Sequence, residues 1–383
     1  MEKLKSKINE AIELIKKSAE KKQVIFLRHH NDCDGYTSAV ALDSVISKIV
    51  SDNHFRDRDA FYYYRRIPSQ TPFYAYEDAT RDISYIYEGA VSRNKEPLMV
   101  IVDTGSSNQS LDSYKKLKAF GFKIIVIDHH PYSKEVEGVV DVLVNPHTIS
   151  SDILISAGAL SCNIAKGMQN GIDYDFISCV ADISDHTEGE NFASMFHNIA
   201  DKYDYENLRL VGDVVDYELQ RNGYNDPWTI VKEILTDERG LRDQLIDNTK
   251  GTLAEIDAQT LLVAKHYSKA DKVGQKIIVS VDMASITSRG SYPSMSRTVS
   301  MLHRNYEAEN ADTEIITYGV SPEMITFRAT DNSTFDTNNL IAKVKEKIPH
   351  GKIEGGGHAH AGSVRFIPAA FGEVLDFVNT YLR

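Results

Sequence analysis

The chain has 383 residues, 42% hydrophobic and 26% charged, a balance ordinary for a globular protein that argues against disorder, and its length predicts two domains rather than one core. Lys and Arg number 43 against 55 Asp and Glu, a net charge of −12, which argues against nonspecific binding of long nucleic acid through a basic surface. Divalent cations would nevertheless reverse the sign inside a carboxylate-lined cleft. Cys33, Cys162 and Cys179 are too few and scattered for a disulfide framework, the N-terminus has no signal-peptide core, and no apolar run reaches the roughly 20 residues that cross a bilayer. The expectation is a cytoplasmic protein without a membrane partner.

In chain order, Leu4, Ile8, Ile12 and Ile15 recur at helical spacing and predict an amphipathic helix over 3–20. QVIFLRH (23–29), LMVIVDTG (98–105) and KIIVIDHHP (123–131) follow as short apolar runs typical of buried parallel strands. Ligands of parallel α/β sheets bind beyond the carboxyl ends of the strands, so three strands ending in Asp or His converge on one crevice. DAFYYYRRIP (59–68) is either an aromatic and basic nucleic-acid platform or a strand whose tyrosines pack, and packing is preferred. Beyond Asn145, SAGALSCNIAKGM (156–168) and DFISCVADISDHT (175–187) read as helices, and amphipathic segments continue to Tyr267. From Gly274 the pattern changes to KIIVSVDM, EIITYGVS and MITFRATD, then the helix NNLIAKVKEKI and the glycine run EGGGHAHAGSVRF (354–366). The fold class is therefore α/β, with a parallel-sheet domain over 1–195, a helical connector over 196–273 and a smaller α/β domain over 274–383.

His30, Asp32 and Asp34 follow the first strand, Asp103 ends the second, Asp128, His129 and His130 end the third, and Asp182 lies in a later apolar segment. Such a set suits two divalent ions such as Mn²⁺ or Mg²⁺ and lacks the thiolates of a structural zinc site. One strand-terminal Asp is ordinarily a turn or cap residue, but three strand ends of this chemistry are poorly explained as caps. Cys33 has no cysteine neighbour and reads as inert. Asp185 and His186 either enter the metal shell or cap the next helix, and His147 either approaches the cleft or serves a turn.

HNDCDG (30–35), VDTG (102–105), DHHP (128–131) and VADISD (180–185), in this order, resemble the four motifs of the DHH phosphoesterases. ITFRAT (325–330) and GGGHAHAG (355–362) are similar to the small GGGH domain associated with that family in RecJ and nanoRNase-like members. The resemblance implies that His30, Asp32, Asp34, Asp103, His129 and Asp182 hold two Mn²⁺ ions, or Mg²⁺ in their place, with Asp103 bridging. It also implies that Asp128 orients an imidazole, that His130 faces the scissile phosphate, and that Arg328, Gly355, Gly356, Gly357 and His358 bind substrate. The implied activity is a phosphodiesterase or exonuclease, hydrolysing short oligonucleotides or single-stranded nucleic acid ends to nucleoside 5′-monophosphates by two-metal water attack. Hydrolysis of a cyclic dinucleotide or of 3′-phosphoadenosine 5′-phosphate is the alternative for the same centre. A degenerate nucleic-acid-binding scaffold is the non-enzymatic one, disfavoured because every expected ligand type is retained. A homodimer is left open.

Overall fold

Leu4, Ala11, Ile12 and Ile15 form the buried stripe of the first helix, α1 (Glu2–Glu20), as their spacing requires. The computed structural model describes residues 2–54, 62–69, 71–91, 95–169, 171–221, 225–286 and 292–383, and the chain divides into two units, Met1–Asn248 and Thr249–Arg383. In the first, α1 leads into β1 (Ile25–His30), α2 (Cys33–Asp52), β2 (Tyr64–Ser69), α3 (Tyr76–Val91), β3 (Leu98–Val102), α4 (Leu111–Ala119), β4 (Lys123–Ile127), a single-turn α5 (Lys134–Glu137) and β5 (Val142–Val144). The helical segment comprises α6 (Ala157–Met168), α7 (Tyr174–Ser184), α8 (Glu190–Ile199), α9 (Tyr205–Arg221), α10 (Trp228–Thr236) and α11 (Arg242–Tyr267).

All five strands pair in parallel, in the order β2-β1-β3-β4-β5. One face packs Phe26, Met99, Ile101, Ile124 and Val126 against Ala79, Ile83 and Ile86 of α3 and Tyr114 and Leu117 of α4. The alternate residues are buried as well, which is why these strands read as continuous Val/Ile/Leu runs rather than alternating ones. After β1 the chain adds β2 on one side and then β3 on the other, so the sheet opens a crevice at the carboxyl ends of β1 and β3. That is where the HNDCDG and VDTG segments emerge. Arg28, fully buried on β1, pairs through two nitrogens with Asp82 and donates to the Pro68 carbonyl at 3.1 Å, tying α3 and β2 to the central strand.

Two strands of the first unit, β2 and β5, lie outside the three apolar runs. β2 occupies the tyrosine and arginine stretch, and Pro68 sits opposite His29 on this edge strand, where the missing N–H costs no ladder bond. Residues 59–61 of that stretch lie outside the described residues; Tyr63 packs against the core, whereas Tyr62 is 57% exposed.

The second unit contains β6 (Ser268–Val273), β7 (Lys276–Asp282), α12 (Met295–Glu309), β8 (Glu314–Ser321), β9 (Met324–Ala329), α13 (Thr337–Lys347), β10 (Glu354–His358), β11 (Ala361–Arg365) and α14 (Phe371–Leu382). Its sheet runs β10-β11-β9-β8-β7-β6 and is mixed, with β7 and β8 parallel and the other pairs antiparallel. Ile316, Phe327 and Val364 from the sheet pack with Leu340 and Val344 of α13 and Val374 and Val378 of α14. The glycine run is a hairpin strand rather than a loose turn. Gly355 (φ +152°) and Gly357 (φ +137°) leave no room for a Cβ, which would lie 2.3 Å from the Ser363 carbonyl oxygen and 2.4 Å from that of Ala361. Gly356, between them, faces open space. No described helix is long and apolar enough to cross a membrane.

Candidate metal centre

The strand ends of the first unit fix their acidic side chains through backbone amides. Asp32 caps α2, its Oδ1 accepting from the Gly35 N–H at 2.9 Å. Gly35 is required there, since a Cβ would lie 2.3 Å from the His30 carbonyl oxygen. Asp34, in the first turn of α2, accepts from the Ala157 N–H at 2.9 Å and the Gly158 N–H at 2.7 Å, so the N-terminus of α6 stabilises its negative charge. Asp103 follows β3 in the left-handed conformation (φ +56°), its N–H donating to the Ile127 carbonyl at 2.9 Å. Few residues other than glycine adopt this conformation, and Asp and Asn do so most readily. Asp128, past β4, accepts from the Ser106 N–H and the His129 N–H, both at 2.9 Å, and pairs with His130 Nδ1 at 2.9 Å. Asn145 donates to the Ser106 hydroxyl at 3.0 Å and to the His130 carbonyl at 2.9 Å, closing the network beneath the His129–His130 turn.

These side chains converge on Asp103. His30 Nδ1 lies 2.6 Å from Asp32 and 3.6 Å from Asp103 Oδ2. From the other side, His129 Nε2 is 3.6 Å from Asp103 Oδ1, 3.6 Å from Asp34 and 3.2 Å from Asp185, while His130 Nδ1 is 3.9 Å from Asp103 Oδ1. Three clusters result whose ligand atoms lie within 4.8 Å of one another: His30, Asp32 and Asp103; Asp34, His129 and Asp185; Asp103, Asp128 and His130. Asp103 belongs to two of them.

Asp182 on α7 lies at the periphery of these clusters. Its Oδ1 accepts from the Ser156 N–H at 2.9 Å and the Thr187 hydroxyl at 3.1 Å. Asp185, at the end of the same helix, reaches His129 instead, while His186 (φ +54°) turns outward and is exposed. His147 sits in a short turn, its N–H donating to Asn145 Oδ1 at 2.8 Å. Cys33 is buried, accepts from the Ser184 hydroxyl at 3.2 Å, and burial pushes its thiol pKa well up, so it is inert as a nucleophile. Arg328, in the second unit, donates to Ser300 Oγ at 2.8 Å, Ser296 Oγ at 2.6 Å and the Phe327 carbonyl at 2.7 Å. Gly355, Gly356, Gly357 and His358 form β10 of that unit.

Burial opposes ionisation at Asp32, Asp34, Asp103, Asp128, Asp182, His30 and His130, and the outcome differs from residue to residue. Burial, with Asp103 next to it, raises Asp34 well above the carboxylate range, and burial with Asp32 does the same to Asp103. Asp182 is raised by burial to about 6, its hydrogen bonds resisting. At Asp32 and Asp128, burial is outweighed by His30 and His130 respectively, and both carboxyls are held well below the usual range. The imidazoles respond in kind: despite burial, Asp32 and Asp103 raise His30, and Asp128 raises His130 to about 10.

Asp103 Oδ2 and Asp182 Oδ2 are buried and make no hydrogen bond among the described residues. A buried carboxylate oxygen without a donor is costly unless a cation meets it. Hard oxygens and imidazole nitrogens around such oxygens fit divalent ions of the Mn²⁺ or Mg²⁺ kind.

Residues 23–184 match the DHH family, N-terminal domain. The chain is 29% identical to an uncharacterized protein of Methanocaldococcus jannaschii, over 98% of this chain and 53% of that protein, and so spans about half the length of the curated relative it matches. Among solved structures it superposes on the DHH domain of a member of a ribosomal protein family, with a TM-score of 0.93, 29% identity, and coverage of 100% of this chain and 92% of that one. RecJ of Thermus thermophilus, in complex with Mn²⁺, shares the fold at a TM-score of 0.66 and 14% identity, over 98% of this chain and 54% of that one. Over residues 23–184 the chain is thus similar to the DHH family, and its fold is RecJ-like.

Proposed function

We propose that the chain is a Mn²⁺-dependent phosphoesterase, able to take Mg²⁺ in place of Mn²⁺, that hydrolyses short oligonucleotides or single-stranded nucleic acid ends to nucleoside 5′-monophosphates. The observation that carries this reading is Asp103, held in a left-handed conformation with one carboxylate oxygen toward His30 and the other toward His129 and His130. One ion would be held by His30, Asp32 and Asp103, and the other by Asp34, Asp103, His129 and Asp182, with Asp185 beside His129. When bound, the ions supply activation of a water nucleophile and stabilisation of charge on the phosphoryl oxygens. His130, kept protonated by Asp128, donates a hydrogen bond to a phosphoryl oxygen. Asp128 is itself fixed by Ser106, so the imidazole keeps its aim when substrate leaves. Arg328, His358 and the amides of Gly355, Gly356 and Gly357 are assigned to recognition of phosphate or sugar groups, as in a GGGH domain. A solved structure of an exonuclease RecJ bound to manganese has the same fold, at a TM-score of 0.62 and 14% identity.

The test is to strip the protein of metal, reload it with Mn²⁺ and offer it single-stranded oligonucleotides of graded length, cyclic dinucleotides and 3′-phosphoadenosine 5′-phosphate. Release of 5′-monophosphates from short oligonucleotides, abolished by chelation, is expected. Turnover confined to either of the other two substrates would reassign the substrate class, and no hydrolysis of any of them would refute the enzyme reading.

A further inference from the structure

We propose that His29, which belongs to none of the metal-compatible clusters among the described residues, is a positioning residue for the metal centre, held in its working orientation by a clamp of Arg66 and Trp228. The inference rests on the reading of His30 as a metal ligand. Arg66 lies on β2 with its guanidinium carbon 3.8 Å from the centre of the Trp228 ring and 5.7 Å from that of Tyr36. It pairs with Asp226, and the Tyr36 hydroxyl donates to the same carboxylate at 2.7 Å. Although charged and on an edge strand, the Arg66 side chain is only 8% exposed. Stacking on an indole and pairing with a carboxylate suit a guanidinium and would not suit a lysine.

The clamp acts through the His29 ring. Arg66 Nη1 lies 2.6 Å from His29 Nε2. A guanidinium has no acceptor, so Arg66 donates and Nε2 accepts; the proton of the neutral ring is therefore on Nδ1. Nδ1 is 2.8 Å from the His30 carbonyl oxygen and donates to it. His29 is fully buried, with its ring edge-on to Tyr36 at 4.6 Å. The same carbonyl oxygen is the atom that a Cβ on Gly35 would strike. The His30 peptide is thus wedged between the His29 N–H and the Gly35 backbone and has a single orientation. That orientation sets where the His30 ring starts, with Nδ1 at 2.6 Å from Asp32. The device couples α10, which carries the only tryptophan of the chain, to the metal-facing end of β1.

Mn²⁺ titration calorimetry on the full chain, with Trp228 fluorescence and the melting temperature of each metal-free variant, tests the proposal. His29→Ala and Arg66→Met are each expected to weaken one of the two Mn²⁺ sites about tenfold, the usual scale for losing a group that orients a ligand, and to leave the other site unchanged. Because the two act in series, the double variant should be no weaker than the weaker single one. His29→Asn, whose amide N–H takes the place of Nδ1 and still reaches the His30 carbonyl, should recover most of the affinity, whereas His29→Gln, whose amide takes the place of Nε2 and puts no donor at the Nδ1 position, should not. This last pair decides the matter if His29→Ala does not fold. Unchanged Mn²⁺ affinity in folded variants, additive losses, or equal behaviour of the Asn and Gln variants would overturn the positioning role and leave the metal centre standing. A wild-type chain that binds no Mn²⁺ would instead overturn the metal reading, and this inference with it.

Discussion

The two units use buried polar groups in opposite ways. At the strand ends of the first, carboxylates are crowded together, burial raises Asp34, Asp103 and Asp182, and two of their oxygens have no donor among the described residues. In the second, several polar groups near the sheet are matched within the unit, His303 with the Thr317 hydroxyl at 2.9 Å, Thr326 with Ser363 at 2.8 Å, and Arg328 with Ser296 and Ser300, and Thr337 Oγ1, buried there without a hydrogen bond among the described residues, is uncharged. A site left electrostatically incomplete calls for ions; a site whose cation already has neutral partners can exchange those weak bonds for a substrate anion. The chemistry and the recognition proposed for this chain therefore rest on different kinds of polar group.

The substitution that should break this contrast most severely is Asp103→Asn. Asparagine also tolerates the left-handed backbone, so the fold is retained. Hydrolysis should fall by several orders of magnitude and Mn²⁺ titration should lose both sites, because the lost carboxylate faces both clusters. The melting temperature of the metal-free protein should hold or rise, since a buried, like-charged neighbour of Asp32 and Asp34 has been neutralised. A fall in metal-free stability with normal metal binding would show that Asp103 serves the turn and not the ions.

Proton linkage gives the next effect. His30 has its pKa raised well above the ordinary histidine value by Asp32 and Asp103 against the effect of burial, so a metal that takes its ring displaces a proton at neutral pH. Mn²⁺ affinity should rise about tenfold per pH unit between pH 6 and 8 for each proton released. Metal-free stability should move the other way. The folded-state pKa of Asp182, about 6, lies above the unfolded value near 3.9, so its contribution is complete below the unfolded value and is lost as pH rises through about 6. Thermal melts of metal-free protein from about pH 4 to 8, where the Asp182 contribution falls away, and calorimetry of Mn²⁺ binding between about pH 6 and 8 in buffers of different ionisation enthalpy, check both signs.

Arg328→Ala examines the second unit by the same logic. Losing a charge-assisted bond to a phosphate costs roughly 1.5–3 kcal/mol, which predicts a rise in KM of about tenfold or more with Mn²⁺ titration unchanged. A lower melting temperature with an unaltered KM would reduce Arg328 to a strut for Ser296 and Ser300.

How much of this was visible in the sequence follows from what each segment buries. β1, β3 and β4 are covered on both faces, so they stand out as apolar runs, and the acids and histidines after them were legible as one constellation. β2 was legible as the tyrosine strand rather than as an apolar run, being an edge strand that bears Arg65, Arg66 and Pro68, whereas β5 left no signal because Val142–Val144 is shorter than any periodicity can register. Asp185 and Asp182 could not be ranked from spacing, since which one approaches His129 depends on how α7 ends, with Asp185 as its C-cap and His186 in a left-handed turn. The pairing of Arg66 with Trp228 joins segments far apart in the chain and left no local signal.

The glycine run shows the same limit at its smallest scale, and yields the finest prediction. As sequence, Gly355, Gly356 and Gly357 are indistinguishable; in the hairpin the outer two have positive φ and abut the β11 backbone, while the middle one faces open space. Gly355→Ala and Gly357→Ala should each cost on the order of 1–3 kcal/mol of stability, the usual scale for a side chain forced into such backbone. Gly356→Ala should stay within about 0.5 kcal/mol, as surface substitutions do. If the hairpin also receives substrate, Gly356 is the position with room for it, and Gly356→Ala should then raise KM severalfold without moving the melting temperature. Equal melting temperatures for all three alanine variants would show that the outer glycines are not needed for strand pairing, and an unchanged KM for Gly356→Ala would remove the run from substrate recognition and leave it a purely structural hairpin.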